Sequence, residues 1–179
     1  MSDLDFYAHV ATRCDVFGTG IGSSPAAWEA TIGADCLDEP GNGLLRRDYG
    51  LVELSFSDAE GALACFGISV QVHRLIHGLS VPTALARQYG EFAPRARFTE
   101  LQAAILSLGR TVEPDDLTGD VHRYRVPESD ARIFVISDPD PYGDGAHDPD
   151  DQEAHQAGDV WALNVSPAWW GAAPRAEAR

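Results

Sequence analysis

The densest concentration of side chains able to do chemistry is 138–153, Asp-Pro-Asp-Pro-Tyr-Gly-Asp-Gly-Ala-His-Asp-Pro-Asp-Asp-Gln-Glu, rich in carboxylates and free of Lys and Arg. Counted from Asp140, a calcium-loop register sets Asp144 at position 5, Gly145 at position 6 and Asp151 at position 12. Tyr142 then falls on a ligand position and no helical patterns flank the stretch, so it reads first as a solvated acidic hairpin loop. Folding back would bring His147, Asp148 and His155 together as transition-metal ligands. That is the alternative reading: a small-ligand or metal-binding enzyme using 138–155. A third use of the same residues is as a partner-facing anionic surface, in which Asp140, Asp144, Asp148, Asp150 and Asp151 meet an Arg/Lys cluster.

Other candidate constellations are weaker. Arg46-Arg47-Asp48-Tyr49 places charge and aromatic character on one strand, which makes Arg47 and Tyr49 candidate partner-binding residues. His73 and His77 bracket Arg74 without an accompanying serine or carboxylate motif. Gly18-x-Gly20-x-Gly22 lacks the third spacing of a dinucleotide fingerprint and reads as a tight turn before a helix. No Gly-x-Ser-x-Gly elbow and no His-Glu-x-x-His is present. All 13 Lys/Arg positions are Arg, so no lysine is available for a Walker A loop or a Schiff base. The residues thus predict no catalytic group, no resident metal and no cofactor, and the chain is expected not to be an enzyme.

The formal charge of −15 disfavours binding to phosphate backbones and anionic membranes. It favours a basic protein, a toxin or enzyme domain, whose approach the opposite field accelerates. No apolar run reaches the roughly 18 residues of a membrane span. The opening Met1-Ser2-Asp3-Leu4-Asp5 has neither a basic nor an apolar signal region, so a cytoplasmic location is expected. Cys14, Cys36 and Cys65 have no paired short spacing and are expected as free thiols.

The elements that must position these residues follow from periodicity and punctuation. A short helix is predicted over 3–14, and a second over Pro25–Ile32, capped by Ser24 and ended by Gly33. The segment 39–43 reads as a loop. Val52, Leu54 and Phe56 alternate with Glu53, Ser55 and Ser57 as a half-buried strand. Phe66, Ile68, Val70 and Val72 alternate with Gly67, Ser69, Gln71 and His73 as its hairpin partner. Helices are predicted over 82–89 and from Phe98 through Leu101, Ile105 and Leu108, with strands at Val121–Val126, 132–136 and Val160–Val165. In the last strand Trp161, Leu163 and Val165 are expected to point inward. The end of the chain, 169–179, is expected to fray, with one of Trp169 and Trp170 docking on the sheet and the other exposed or bound to a partner.

The order helix, helix, strands thus occurs twice, and a shift of about 76 residues carries Gly33 onto Gly109, Gly43 onto Gly119 and Arg47 onto Arg123. The expected fold class is α+β: one domain of two similar halves, 1–78 and 79–168, each with helices packed on a small antiparallel sheet. The stretch Ile21-Gly22-Ser23-Ser24-Pro25 through Trp28 to Ile32-Gly33, followed by antiparallel strands, resembles the opening of the β-lactamase inhibitory protein type of fold. That fold also occurs in small outer-membrane assembly lipoproteins. The resemblance implies a tandem α+β architecture with a protein-binding sheet, but not β-lactamase as the target, because the family's secreted, disulfide-bonded character is missing. In composition the chain is similar to bacterial immunity proteins, which neutralise toxin domains.

Overall fold

The structure is a computed structural model that describes residues 1–143, 145, 148, 150–151 and 154–167. Helix α1 (Asp3–Arg13) starts at a capping box: the Ser2 hydroxyl accepts from the Asp5 amide, and the Asp5 carboxylate accepts from the Ser2 amide at 2.6 Å. Its apolar face, Phe6, Tyr7, Val10 and Ala11, is buried. A minimal hairpin, β1 (Asp15–Val16) and β2 (Thr19–Gly20), leads into α2 (Pro25–Ile32), where Ser24 accepts from the Ala27 amide and Pro25 opens the first turn. Only Trp28 and Ile32 of α2 are buried, enough to dock one face of two helical turns.

A four-strand meander follows: β3 (Leu37–Gly41), β4 (Leu44–Asp48), β5 (Val52–Ser57) and β6 (Ala64–Val70). A 3-10 helix (Val72–His77), α3 (Thr83–Tyr89) and α4 (Phe98–Ser107) then lead into a second meander, β7 (Glu113–Asp116), β8 (Val121–Val126), β9 (Ala131–Ile136) and β10 (Val160–Val165). The two meanders form one antiparallel eight-stranded sheet in the order β3-β4-β5-β6-β10-β9-β8-β7. The last strands of the two meanders meet at its centre, with Val70 opposite Leu163, Ser69 opposite Asn164 and Ile68 opposite Val165.

The core lies between this sheet and the helices. Helix α1 packs against α4, α3, β9 and β10, and α2 packs against α3. Phe6, Tyr7, Tyr89 and Phe92 meet as tilted and edge-on ring pairs with centroids 5.2–6.0 Å apart. The inward residues of β5 (Val52, Leu54, Phe56) and of β9 (Ala131, Ile133, Val135) belong to the same buried core.

Four sequence expectations need correction. The segment 39–43 contributes to an edge strand rather than a loop, and β7 forms the opposite edge; both carry a proline, Pro40 and Pro114. Strand β6 stops at Val70, and Val72 and His73 belong to the 3-10 helix, entered through Gln71 at φ −90°, ψ 66°. Phe66 and Trp161 are not inward-pointing core residues, because each sits at a bulge. Ser55 pairs with Gly67 while Phe56 pairs with Cys65, and Val160 pairs with Val135 while Ala162 pairs with Phe134, so the residue between is extra and the alternation flips. Leu108 lies past the end of α4 and is exposed.

The acidic connection between β9 and β10 is anchored at its end by Asp159, which is 1% exposed. Its carboxylate accepts from Arg95 Nε (2.7 Å), Arg97 Nη1 (2.8 Å) and the Gln156 amide (2.8 Å). Backbone bonds from Val160 to Ala96 and from Phe98 to Gly158 close the same seam. Burial opposes ionisation of Asp159, but the Arg95 guanidinium, the Gln156 amide and Arg97 together outweigh it and hold its carboxyl below the usual range. The Asp159→Asn variant should lose about 3 kcal/mol of stability in urea unfolding, because two guanidiniums are left facing a neutral amide. A depressed folded pKa contributes stability that is present in full above the ordinary value of 3.8 and lost as the pH falls through the folded value. The wild-type stability curve should therefore fall more steeply with acidification than that of Asp159→Asn.

Candidate functional site

None of the described α-helices packs on the face of the sheet opposite α1, although Ile136 and Ala162 at one end of that face are buried. Its character follows from strand alternation: in β5 Val52, Leu54 and Phe56 go to the core, leaving Glu53, Ser55 and Ser57 on the other side. The registers then align one residue from every strand into a row across the whole sheet. Leu37, Asp48, Glu53, Ser69, Asn164, Arg132, Arg125 and Glu113 stand opposite one another in turn. Seven of these eight side chains are polar or charged. With strands about 4.8 Å apart and about six residues long, the face measures roughly 34 by 20 Å.

Charge on this face is internally matched. On one side Glu53 accepts from Arg46 Nη2 (2.7 Å) and Arg74 Nη2 (2.9 Å), while Glu39 takes the other end of Arg46 (2.8 Å) and Asp48 pairs with Arg74 (2.9 Å). The Arg46 and Arg74 guanidiniums hold the Glu53 carboxyl below its usual range against the opposing effect of burial. On the other side Asp115 accepts from Arg123 Nε (2.6 Å) and lies 3.6 Å from Arg132. Between them the seam is neutral: Ser69 Oγ donates to Asn164 Oδ1 (2.6 Å) and accepts from Gln71 Nε2 (3.1 Å). Gly67 brings no side chain, and the result is an open trough of about 530 Å³ floored by Gly67, Ser69 and Asn164 and walled by Glu53, Asp115 and Arg132.

No family model, curated protein or solved structure matches the chain.

The described residues singled out from the sequence fall in separate places, Arg47 and Tyr49 at β4 and the acidic residues in the connection from β9 to β10. Arg47 and Tyr49 are 7% and 5% exposed. Arg47 faces the helices, donating from Nε and Nη2 to both oxygens of Asp38 (2.7 and 2.8 Å) and from Nη1 to the Pro25 carbonyl (3.0 Å), and so ties α2 to the sheet edge. Asp148, Asp150 and Asp151 are exposed and Asp140 is half-buried, all within the connection from β9 to β10. The Asp148 carboxylate accepts from the Asp150 amide (2.9 Å), and Asp140 accepts from Gly145 (3.1 Å). Asp144, His147, Trp169 and Trp170 lie outside the described residues. Among the described residues, no group of three His, Cys, Asp or Glu side chains is placed to hold a metal ion. His155 joins an aromatic cluster with Trp161 (centroids 5.3 Å) and His77 (6.4 Å), and His73 stacks flat on Trp161 at 4.0 Å.

Sequence reasoning missed the eight-residue row. The alternating polar residues of β5 and β6 were visible, but which polar residue faces which depends on register, and two edge strands gave no apolar alternation to detect. Replacing Glu53 by Gln removes the acceptor that Arg46 and Arg74 share. Stability should fall by about 1–2 kcal/mol in urea unfolding, with the near-UV circular dichroism of the folded state unchanged.

Proposed function

We propose that the protein is a cytoplasmic protein-binding module, an immunity-type inhibitor that covers a basic toxin or enzyme domain with the open face of its sheet. One observation carries this reading: a sheet face of roughly 34 by 20 Å, near 700 Å², on which none of the described α-helices packs, approaches the roughly 800 Å² that each partner contributes to a stable protein–protein interface. A small metabolite would leave most of such a face in water. The charge supports the partner's sign. The sheet face neutralises itself, and the excess behind the formal charge of −15 includes the exposed Asp148, Asp150 and Asp151, beside the start of β10. Such a field steers a basic partner toward the molecule, while the matched, hydrogen-bonded face sets register.

The mirror-like strand order, with each meander contributing four strands and the last of each meeting at the centre, supports a further reading as two similar halves, 1–78 and 79–168. Gly43 and Gly119 both adopt positive φ in the turns that open β4 and β8, as a duplication with a shift of about 76 residues requires. The tandem α+β resemblance read from 21–33 is part of this proposal.

The test is capture of the partner by the full chain at low salt, run beside two variants. A double substitution at the seam, Ser69→Arg with Asn164→Arg, places positive bulk where a basic partner docks. It should weaken binding at least about 100-fold, with the thermal melt checked separately. Neutralising Asp140, Asp148, Asp150 and Asp151 to Asn should slow association about tenfold at low salt and leave dissociation nearly unchanged. Equal capture by the seam variant, or binding indifferent to salt, overturns the proposal.

A further inference from the structure

Next to the polar trough the open face changes character. At the end of the sheet where β4 and β6 begin, a groove of about 370 Å³ is lined by Ile21, Leu44, Ala64, Cys65, Phe66 and Pro167. Leu44 is 51% and Ile21 37% exposed, although both are large aliphatic side chains. The bulge in β6 builds this groove. As the extra residue opposite Ser55 and Phe56, Phe66 forms a ridge between the polar trough and the apolar groove and lines both. The turn before α2 is fixed alongside by bonds from the Gly22 amide to the Cys65 carbonyl (2.7 Å) and from the Cys65 amide to Ser23 (2.9 Å). The walls are therefore set by backbone pairing.

We propose that this groove is the docking site of the chain's own C-terminal segment, with the Trp169–Trp170 pair as its apolar anchor. Three observations converge. First, Pro167, the last described residue, is itself part of the groove wall, and Trp169 follows two positions later. A tether that short holds the indoles at high effective concentration and leaves little closure entropy to lose. Second, the pair offers two of the largest apolar side chains to a cleft whose other large residues are aliphatic or aromatic. Third, among the side chains of 168–179 Arg175 and Arg179 stand against one acidic residue, Glu177, in a chain of formal charge −15, and Glu60 stands at the groove's rim. The surface attracts that segment rather than repelling it. Docking here would cap one end of the open face and bury its most apolar part. This proposal stands apart from the identity of any partner.

Tryptophan emission of the full chain tests it directly. Trp28 and Trp161 are common to all variants, so subtracting the Trp169→Phe/Trp170→Phe double variant isolates the terminal pair. If the pair is docked, the difference emission is blue-shifted and at least about threefold less quenched by acrylamide than free tryptophan amide. Substituting Leu44→Asp, at a position already half in solvent, should shift it to the red and restore quenching. If Leu44→Asp alters the near-UV signal of the core, Ser57→Arg at the groove lip replaces it. Emission like that of free tryptophan in the wild type, or protection unchanged by either groove substitution, overturns the proposal. Protection that disappears on dilution also overturns it, because the groove is then filled by a second copy.

Discussion

The whole molecule hangs on the pairing of β6 with β10. Within each meander consecutive strands pair with one another, but among the described residues the only strand pairing between the two is three residues long, with Val70, Ser69 and Ile68 opposite Leu163, Asn164 and Val165. On the core side of this seam Val70 and Leu163 are fully buried. On the open side Ser69 donates to Asn164. A one-residue slip would exchange these two sets of side chains and break the row that crosses the sheet. Resistance to slippage comes from outside the seam. Helix α1 lies against β9 and β10, and the 3-10 helix that continues β6 packs on β10, so β10 is held by elements beyond its own strand pairing.

Bulges on both strands of the seam set what the open face presents. Phe66 and Trp161 are each the unpaired residue of a two-against-one register, and each sends an aromatic ring where simple alternation would not. Phe66 divides the face into a polar trough and an apolar groove. Trp161, 36% exposed, gathers His73 and His155 around it at the opposite end of the seam. A bulge bends its strand and raises local twist, so these two positions also shape the face as well as furnish it.

These features explain what the sequence could disclose. Where local chemistry decides the outcome, the elements were legible: Ser24-Pro25 and Gly33 bound α2, and the apolar alternation of Val52–Ser57 appears as β5. Edge strands β3 and β7 were hidden because every residue of β3 is exposed and the first three of β7 are, so no period is imposed on them. The extension of β6 to His73 and the inward placement of Phe66, Trp161 and Leu108 failed for a common reason. An apolar residue at the expected spacing says nothing about a bulge or a helix end that removes it from the core. Arg47 illustrates the converse. Its charge suggested a surface role, yet strand alternation turns it toward the helices, where a bidentate carboxylate makes burial tolerable.

Among the described residues the surfaces of the sheet differ in what they offer to another macromolecule. One face of the sheet is covered by helices. Both edges are blunted, β3 by Pro40 with Asp38 and Glu39, β7 by Pro114 with Glu113, Asp115 and Asp116. A proline cannot donate to an added strand, and a line of carboxylates repels a neighbour that is itself acidic, so edge-to-edge association of copies is disfavoured. The open face differs in kind. Its charges are already paired across strands, so a partner that meets it need not supply a full set of countercharges, and its polar groups are held in fixed geometry before contact. Such preorganisation reduces the ordering cost of association. Breadth, matched polarity and a rigid frame all coincide on this one surface, which the β6–β10 seam alone makes continuous.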